Sequence, residues 1–400
     1  MEADLVRIQA FSLSRLPRIV FAANAIRQLP ALVRGYGTRA LLVTGSRSFD
    51  AAPYSASLLA ELRSASVEVF RFVVRGEPSP GLIDAAVRRF REARPEVVVG
   101  IGGGSAIDAA KAIAGLLIPG NSVMDHLEGV GPEKPYHGPA IPFIAVPTTA
   151  GTGSEATKNA VLSVRGEGGF KKSFRDEKLV AEVALLDPDL LASCPPDVIA
   201  ANGMDALTQL LESYVSSRAG PMTDSLAWGG MKAARDGLLA LHRNSGDAEA
   251  RGRMAYAALV SGVSLAQAGL GSVHGLAAPL GAFFPIPHGV ACGTLVAEAT
   301  RLNIAALHER APGHPALEKY ALVGRLLGKC QTSHQSEAHD ALLQILSAWT
   351  EALALPRLAH YGVTQSDVAR IVANSRGSSM KTNPVVLTDA EIAGLVESRL

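Results

Sequence analysis

Four side chains in the second half of the chain have types and spacing suited to holding a divalent cation. In "GMDALTQLLESYV" (203–215), Asp205 and Gln209 stand one helical turn apart and face the same way. His274 and His288 arrive from a later segment, "GSVHGLAAPLGAFFPIPHGVACG" (271–293). Two oxygen and two nitrogen donors would thus meet around one ion, a Lewis acid for a carbonyl or alcohol oxygen. A single histidine in an apolar run is more often a hydrogen-bonded core residue, so the metal reading rests on the four together.

Two glycine-rich turns supply a second kind of chemistry. In "VVVGIGGGSAIDAAKAIA" (97–114) a strand runs into consecutive glycines and then a helix. Backbone N–H groups there close around an anion, and the helix N-terminus adds partial positive charge, which suits a pyrophosphate. The pattern differs from GxGxxG and also reads as a plain strand-to-helix turn. The stretch "VPTTAGTGSEATKNAV" (146–161) places Thr148, Thr149, Thr152 and Ser154 beside that turn if the two preceding strands are neighbours. It equally caps a helix at Thr152 or Ser154, with Glu155 in the first turn.

The elements that must position these groups show in the hydrophobic rhythm. "RALLVTG" (39–45), "VEVFRFVV" (67–74), "EVVVGIGGG" (96–104) and "PFIAVPTT" (142–149) are short β-branched runs separated by amphipathic stretches. In "PGLIDAAVRRFREA" (80–93), Leu82, Ala85, Val87 and Phe90 are expected on the buried face of a crossover helix. From about residue 190 the texture becomes long, alanine-rich and helical, and Pro188, Pro195 and Pro196 mark the break. The expectation is an α/β Rossmann-like doubly wound domain over 1–190, then an all-α domain over 191–400.

With 400 residues, two domains sharing a cleft are the natural arrangement. A formal charge of +1, from 38 basic and 37 acidic side chains, leaves no field to gather nucleic acid or an anionic membrane. Cys194, Cys292 and Cys330 are widely spaced and read as ordinary buried thiols in a reducing compartment. The opening "MEADLVRIQAFSLSRLPRIVF" has no continuous apolar core of a signal peptide, and no uncharged run approaches the roughly 20 residues needed to span a bilayer. A cytoplasmic protein is expected, with small molecules and copies of itself as partners.

Taken in order, "GGGSAIDAAK", "PTTAGTGSE", "GMDALTQ" and "HGLAAPLGAFFPIPHG" resemble the iron-containing (group III) alcohol dehydrogenases, whose pattern is GGGSxxDxxK, PTTAGTGSE, GMDALTH and HGxxHPLGAxxxxPHG. The tail "KTNPVVLTDAEIAGLV" (381–396) is also similar, so the resemblance covers essentially the whole chain. It implies a nicotinamide nucleotide in an interdomain cleft and hydride exchange with an alcohol, aldehyde or ketone, assisted by Fe²⁺ or Zn²⁺. Position by position, it implies that Gly103, Gly104, Ser105 and Asp108 hold pyrophosphate and nicotinamide, flanked by Thr148, Thr149 and Thr152. Lys171 would lie near the cofactor ribose and Asn159 near the substrate. Asp205, His274 and His288 would be the catalytic metal ligands, with Gln209 standing where the family has a histidine. Ala278 replaces a further family histidine.

An amide oxygen is a weaker ligand for these ions than imidazole, so Gln209 implies a weakened site, another metal or metal-free hydride transfer. At the end of the "ALLVTGSRSFD" strand, many family members carry an aspartate that binds ribose hydroxyls. Here Gly45, Ser46, Arg47 and Ser48 stand instead, which favours NADP(H) over NAD(H). Basic residues at "FKKSFR" (170–175) and Lys158 suit either cofactor phosphates or an anionic aldehyde, and Phe283 and Phe284 are expected to line the substrate pocket. Alternatives are a maleylacetate reductase-like enzyme without metal, a lyase like dehydroquinate synthase, which the architecture also resembles, or a degenerate nucleotide binder. An edge strand near the N-terminus points to a homodimer or higher homo-oligomer.

Overall fold

The computed structural model describes residues 11–46 and 48–400. Arg47, which carried part of the NADP(H) expectation, lies outside the described residues, as do the first ten residues of the signal-peptide reading. The strands are β1 (Arg18–Phe21), β2 (Arg39–Gly45), β3 (Glu68–Val74), β4 (Val97–Gly102), β5 (Phe143–Pro147), β6 (Asn159–Val164), β7 (Phe170–Arg175) and β8 (Val183–Leu186). Six form one parallel sheet in the order β1-β8-β5-β4-β2-β3, and β6 pairs antiparallel with β7 as a hairpin.

Side chains alternate through the sheet, as the period of two requires. Leu41, Val43, Val98, Phe143 and Ala145 bury on one face, whereas Ala40, Leu42, Val97, Val99 and Ile144 bury on the other. Both faces are covered, by α1 (Leu29–Arg34), α2 (Ser48–Ala51), α3 (Ser55–Ser64), α4 (Pro80–Phe90) and α5 (Gly104–Leu116). Helix α4 starts at Ser79, whose hydroxyl accepts the Leu82 N–H, with Pro80 in its first turn. Its buried face is Ile83, Ala86, Val87 and Phe90, an i, i+3, i+4, i+7 stripe. The stripe expected from Leu82 and Ala85 is therefore wrong: Ala85 is exposed, because the face turns by one residue once Pro80 sets the start.

The remaining helices are α6 (Pro196–Val215), α7 (Pro221–Arg243), α8 (Ala248–Ala268), α9 (Ser272–Phe283), α10 (His288–Arg310), α11 (Pro315–Gly328), α12 (Gln335–Ala352), α13 (Val368–Ala373) and α14 (Asp389–Glu397). They share one apolar core, built around α6 and α10. By length and composition α10 is apolar enough to cross a membrane, yet 78% of its apolar window is buried within the protein. Between α8 and α9 the chain bends by 102° at Gly269, whose φ of 76° suits glycine. That bend carries His274 back to α6.

Candidate active site in the cleft between sheet and helices

The carboxyl ends of β4 and β5 open into a cleft of about 830 Å³ whose far wall is helical. Gly102 leaves β4 at φ 154°, and its carbonyl accepts the Thr148 N–H at 2.9 Å, locking the two turns side by side. A Cβ on Gly103 would come within 3.2 Å of Thr149 Oγ1, and one on Gly104 within 2.9 Å of Thr152. Only glycine allows the threonine loop to lie so close. Helix α5 begins here without a side-chain cap, so its first N–H groups face the cleft. Glycines, threonines and helix terminus make a cradle fitted to a pyrophosphate.

Gly103, Gly104, Ser105, Asp108, Thr149, Thr152, Asn159 and Lys171 all line the cleft. Thr148 and Gly45 are not among the lining residues: Thr148 is buried behind the turn, and Gly45 sits at the end of β2 beside Gly102. Asp108 is engaged inward, where the Ser154 hydroxyl donates to its carboxylate and Lys111 Nζ lies 3.9 Å away. Lys171 Nζ donates to Glu77 Oε1 at 2.7 Å, and Ser163 Oγ donates to the other Glu77 oxygen at 2.7 Å. Burial works to raise the Glu77 carboxyl, but Lys171 and these hydrogen bonds outweigh it and hold Glu77 below its ordinary range. Phe284 does not line the cleft as expected. It is 9% exposed in the helical core, because adjacent residues at a helix end point apart, and Phe283 alone of the pair reaches the cleft.

At the helical wall, Asp205, His274, His288 and Cys292 converge, with their ligand atoms all within 4.8 Å of one another. His274 Nε2 lies 3.2 Å from Asp205 Oδ1, and His288 Nε2 lies 3.8 Å from the same oxygen. His274 Nδ1 is held by Glu212 Oε2 at 2.6 Å, so its Nε2 is turned toward the cluster. Asp205 is fully buried, and its Oδ2 has no hydrogen-bond partner among the described residues. A buried carboxylate with one oxygen beside two imidazoles and the other left without a partner fits a divalent cation. Gln209 also lines the cleft, but its oxygen accepts from Ser261 Oγ at 2.8 Å.

Burial and the Lys171 ammonium push His288 down to about 4, leaving a neutral imidazole at pH 7. Burial opposes a charge on His274 too, but the surrounding groups hold its pKa well above the ordinary value. Of these, Cys292 is pushed up to about 12 by burial and is a neutral thiol at pH 7, so Glu212 and Asp205 carry the effect. Glu212, Cys292, Glu77 and Lys111 were not singled out from the sequence. The first two carried a readable signal: Glu212 continues the Asp205 and Gln209 face by three residues, and Cys292 follows His288 by four. Glu77 comes from a loop that gives no such hint.

A parallel sheet whose strand ends cradle an anion, opposed by a helical wall bearing carboxylate and imidazoles, defines a two-part nucleotide-dependent oxidoreductase. Residues 17–188 match the family described as iron-containing alcohol dehydrogenase, and residues 199–400 match its C-terminal part. The chain is 29% identical over 388 residues to the NAD-dependent methanol dehydrogenase of Bacillus methanolicus, covering 96% of this chain and 98% of that one. It is 32% identical over 325 residues to alcohol dehydrogenase 4 of Saccharomyces cerevisiae, covering 80% and 81%. Among solved structures it is similar to sulfoacetaldehyde reductase from Bifidobacterium kashiwanohense in complex with NAD⁺, with a TM-score of 0.84, 26% identity and coverage of 98% and 99%. The chain belongs to the iron-containing alcohol dehydrogenase family. Its activity is nicotinamide-dependent interconversion of an alcohol with its aldehyde or ketone.

Proposed function

We propose that the chain acts on short, uncharged alcohols and aldehydes, with NADP(H) preferred and a divalent ion held at Asp205, His274 and His288. One observation carries the reading: the orphaned Asp205 Oδ2 and the two imidazoles lie in the same cleft as the Gly103–Thr152 cradle. When bound, the nicotinamide supplies the hydride donor or acceptor and the metal supplies Lewis acidity to the substrate oxygen. The protein's own part is positional. The Gly103 and Gly104 turn and the α5 N-terminus bind the phosphates, and Thr149 and Thr152 flank them. Asn159 borders the substrate space and Lys171, steadied by Glu77, borders the ribose. Glu212 fixes His274 in the tautomer that presents Nε2.

Substrate charge follows from which basic groups are free. Lys171 is paired with Glu77, Arg175 with Glu128 and Lys158 with Glu177, so most of the positive cluster is neutralised. Ala278, Pro279 and Phe283 make an apolar wall, which favours a short aliphatic chain over a carboxylate or sulfonate. The absence of a carboxylate at Gly45 supports NADP(H). Absorbance at the nicotinamide band is the test, with short alcohols, their aldehydes and anionic aldehydes, each with both nucleotides. Faster turnover of neutral substrates with NADP(H) is expected. Preference for an anionic aldehyde would overturn the substrate reading, and an unchanged nucleotide ratio in Gly45→Asp would overturn the cofactor reading. We further propose a homodimer through the β1 edge.

A further inference from the structure

We propose that the fourth protein ligand of the metal is Cys292, taking the place left by Gln209, and that the site is therefore a zinc site. The inference rests on the metal reading above and concerns which donors hold the ion.

Geometry is the first support. A tetrahedral zinc ion with bonds of about 2.3 Å to sulfur and 2.0–2.1 Å to nitrogen and oxygen has S···N edges of about 3.6 Å and N···O edges of about 3.3 Å. Cys292 Sγ lies 3.6 Å from His274 Nε2 and 3.8 Å from His288 Nε2. His274 Nε2 and His288 Nε2 lie 3.2 and 3.8 Å from Asp205 Oδ1. Four of the six edges are thus close to those of such a tetrahedron, and all four atoms lie within 4.8 Å of one another.

The second support is what surrounds each donor. Cys292 is fully buried, and its sulfur lies against the two imidazoles and the Asp205 carboxylate. The orphaned Oδ2 shows that the pocket holds an unmet demand for positive charge beyond what the histidines satisfy. Gln209, by contrast, has its oxygen occupied by Ser261, whose own helix, α8, is packed on α6. Gln209 Oε1 is turned to Ser261, whereas Cys292 Sγ already faces both imidazoles, and a bound cation would displace its proton.

His288 opens α10 and Cys292 follows one turn later, so a single rigid element presents both. On binding, the Sγ–H proton leaves to water and a metal–sulfur bond forms, with no change in oxidation state. A thiolate with two imidazoles and one carboxylate favours zinc over Fe²⁺.

The test uses the full-length protein, stripped with chelator and reloaded with Co²⁺ in the absence of air. The expected spectrum has a near-ultraviolet sulfur-to-cobalt charge-transfer band at one equivalent. Cys292→Ser should lose the band and bind cobalt on the order of 100-fold more weakly, while Gln209→Ala should bind within about threefold of the parent. Cobalt bound without the band overturns the assignment of Cys292 and leaves the metal reading standing. So does a large affinity loss confined to Gln209→Ala. No cobalt bound at all overturns both readings. The spectrum of the parent protein decides the matter even if the variants fold poorly.

Discussion

At the scale of single residues, Lys111 is fully buried beneath the cleft and ties the threonine loop to β6. Its buried ammonium donates to the carbonyls of Ser154 and Asn159 at 2.8 and 2.6 Å and to Thr157 Oγ1 at 3.0 Å. Burial pushes its pKa down to about 8, and the neighbouring Asp108 and Glu155 work in the opposite direction. Lys111→Met leaves these acceptors without a donor, and a loss of about 3–5 kcal/mol is expected in urea unfolding. A loss under ~1 kcal/mol would show that water replaces the ammonium. Glu77 gives a pH prediction with a definite sign. Its folded pKa lies below the ordinary 4.5, so it contributes stability above that pH that is lost as pH falls through the folded value. Glu77→Gln should therefore flatten the acid limb of the stability curve as pH falls below the ordinary 4.5, and an unaltered limb would remove the Lys171 pair from the account. Asp205 and the histidines were legible because their motifs are long and ordered in the chain. Cys292 was read as an ordinary buried thiol, because a cysteine in an apolar run packs or ligates with the same composition, and only its place four residues after His288 hinted at more.

At the scale of elements, the α5 N-terminus and its threonine loop act as one unit. Gly104→Ala would drive a Cβ to 2.9 Å from Thr152, so the loop must retreat from the phosphate path. The expected result is a KM for the nucleotide raised on the order of 10-fold with the unfolding midpoint nearly unchanged. An unaltered KM would place the phosphates elsewhere. The four strands read from the sequence correspond to β2, β3, β4 and β5; the runs of β2, β4 and β5 are buried on both faces, and the edge strand β3 is half-buried. The expected N-terminal edge strand is β1, whereas β7 and β8 escaped notice for physical reasons. β8 is only Val183–Leu186, too short for a periodicity, and β7 is the lysine-rich "FKKSFR", whose strand character comes from pairing with β6 and not from its composition.

At the scale of the whole molecule, the sheet ends on β1, whose outer edge is unpaired among the described residues and whose Ile19 and Phe21 are 41% and 40% exposed. Sheet edges of this kind pair with copies of themselves across a twofold axis. Sedimentation should show a dimer for the parent chain and a shift toward monomer for Ile19→Lys combined with Phe21→Lys; identical profiles would place the interface elsewhere. The two walls of the cleft also differ in how far they tolerate redesign. Gly153, at φ 60°, and Gly262 of α8 meet backbone to backbone, so a Cβ on Gly262 would fall 2.1 Å from the Gly153 carbonyl oxygen. The threonine loop is thereby riveted to the helical half, and no side chain of any size fits between them. Enlarging this pocket for a longer alcohol is therefore a matter of trimming Phe283, Leu353 or Tyr361, which line the cleft away from that backbone contact.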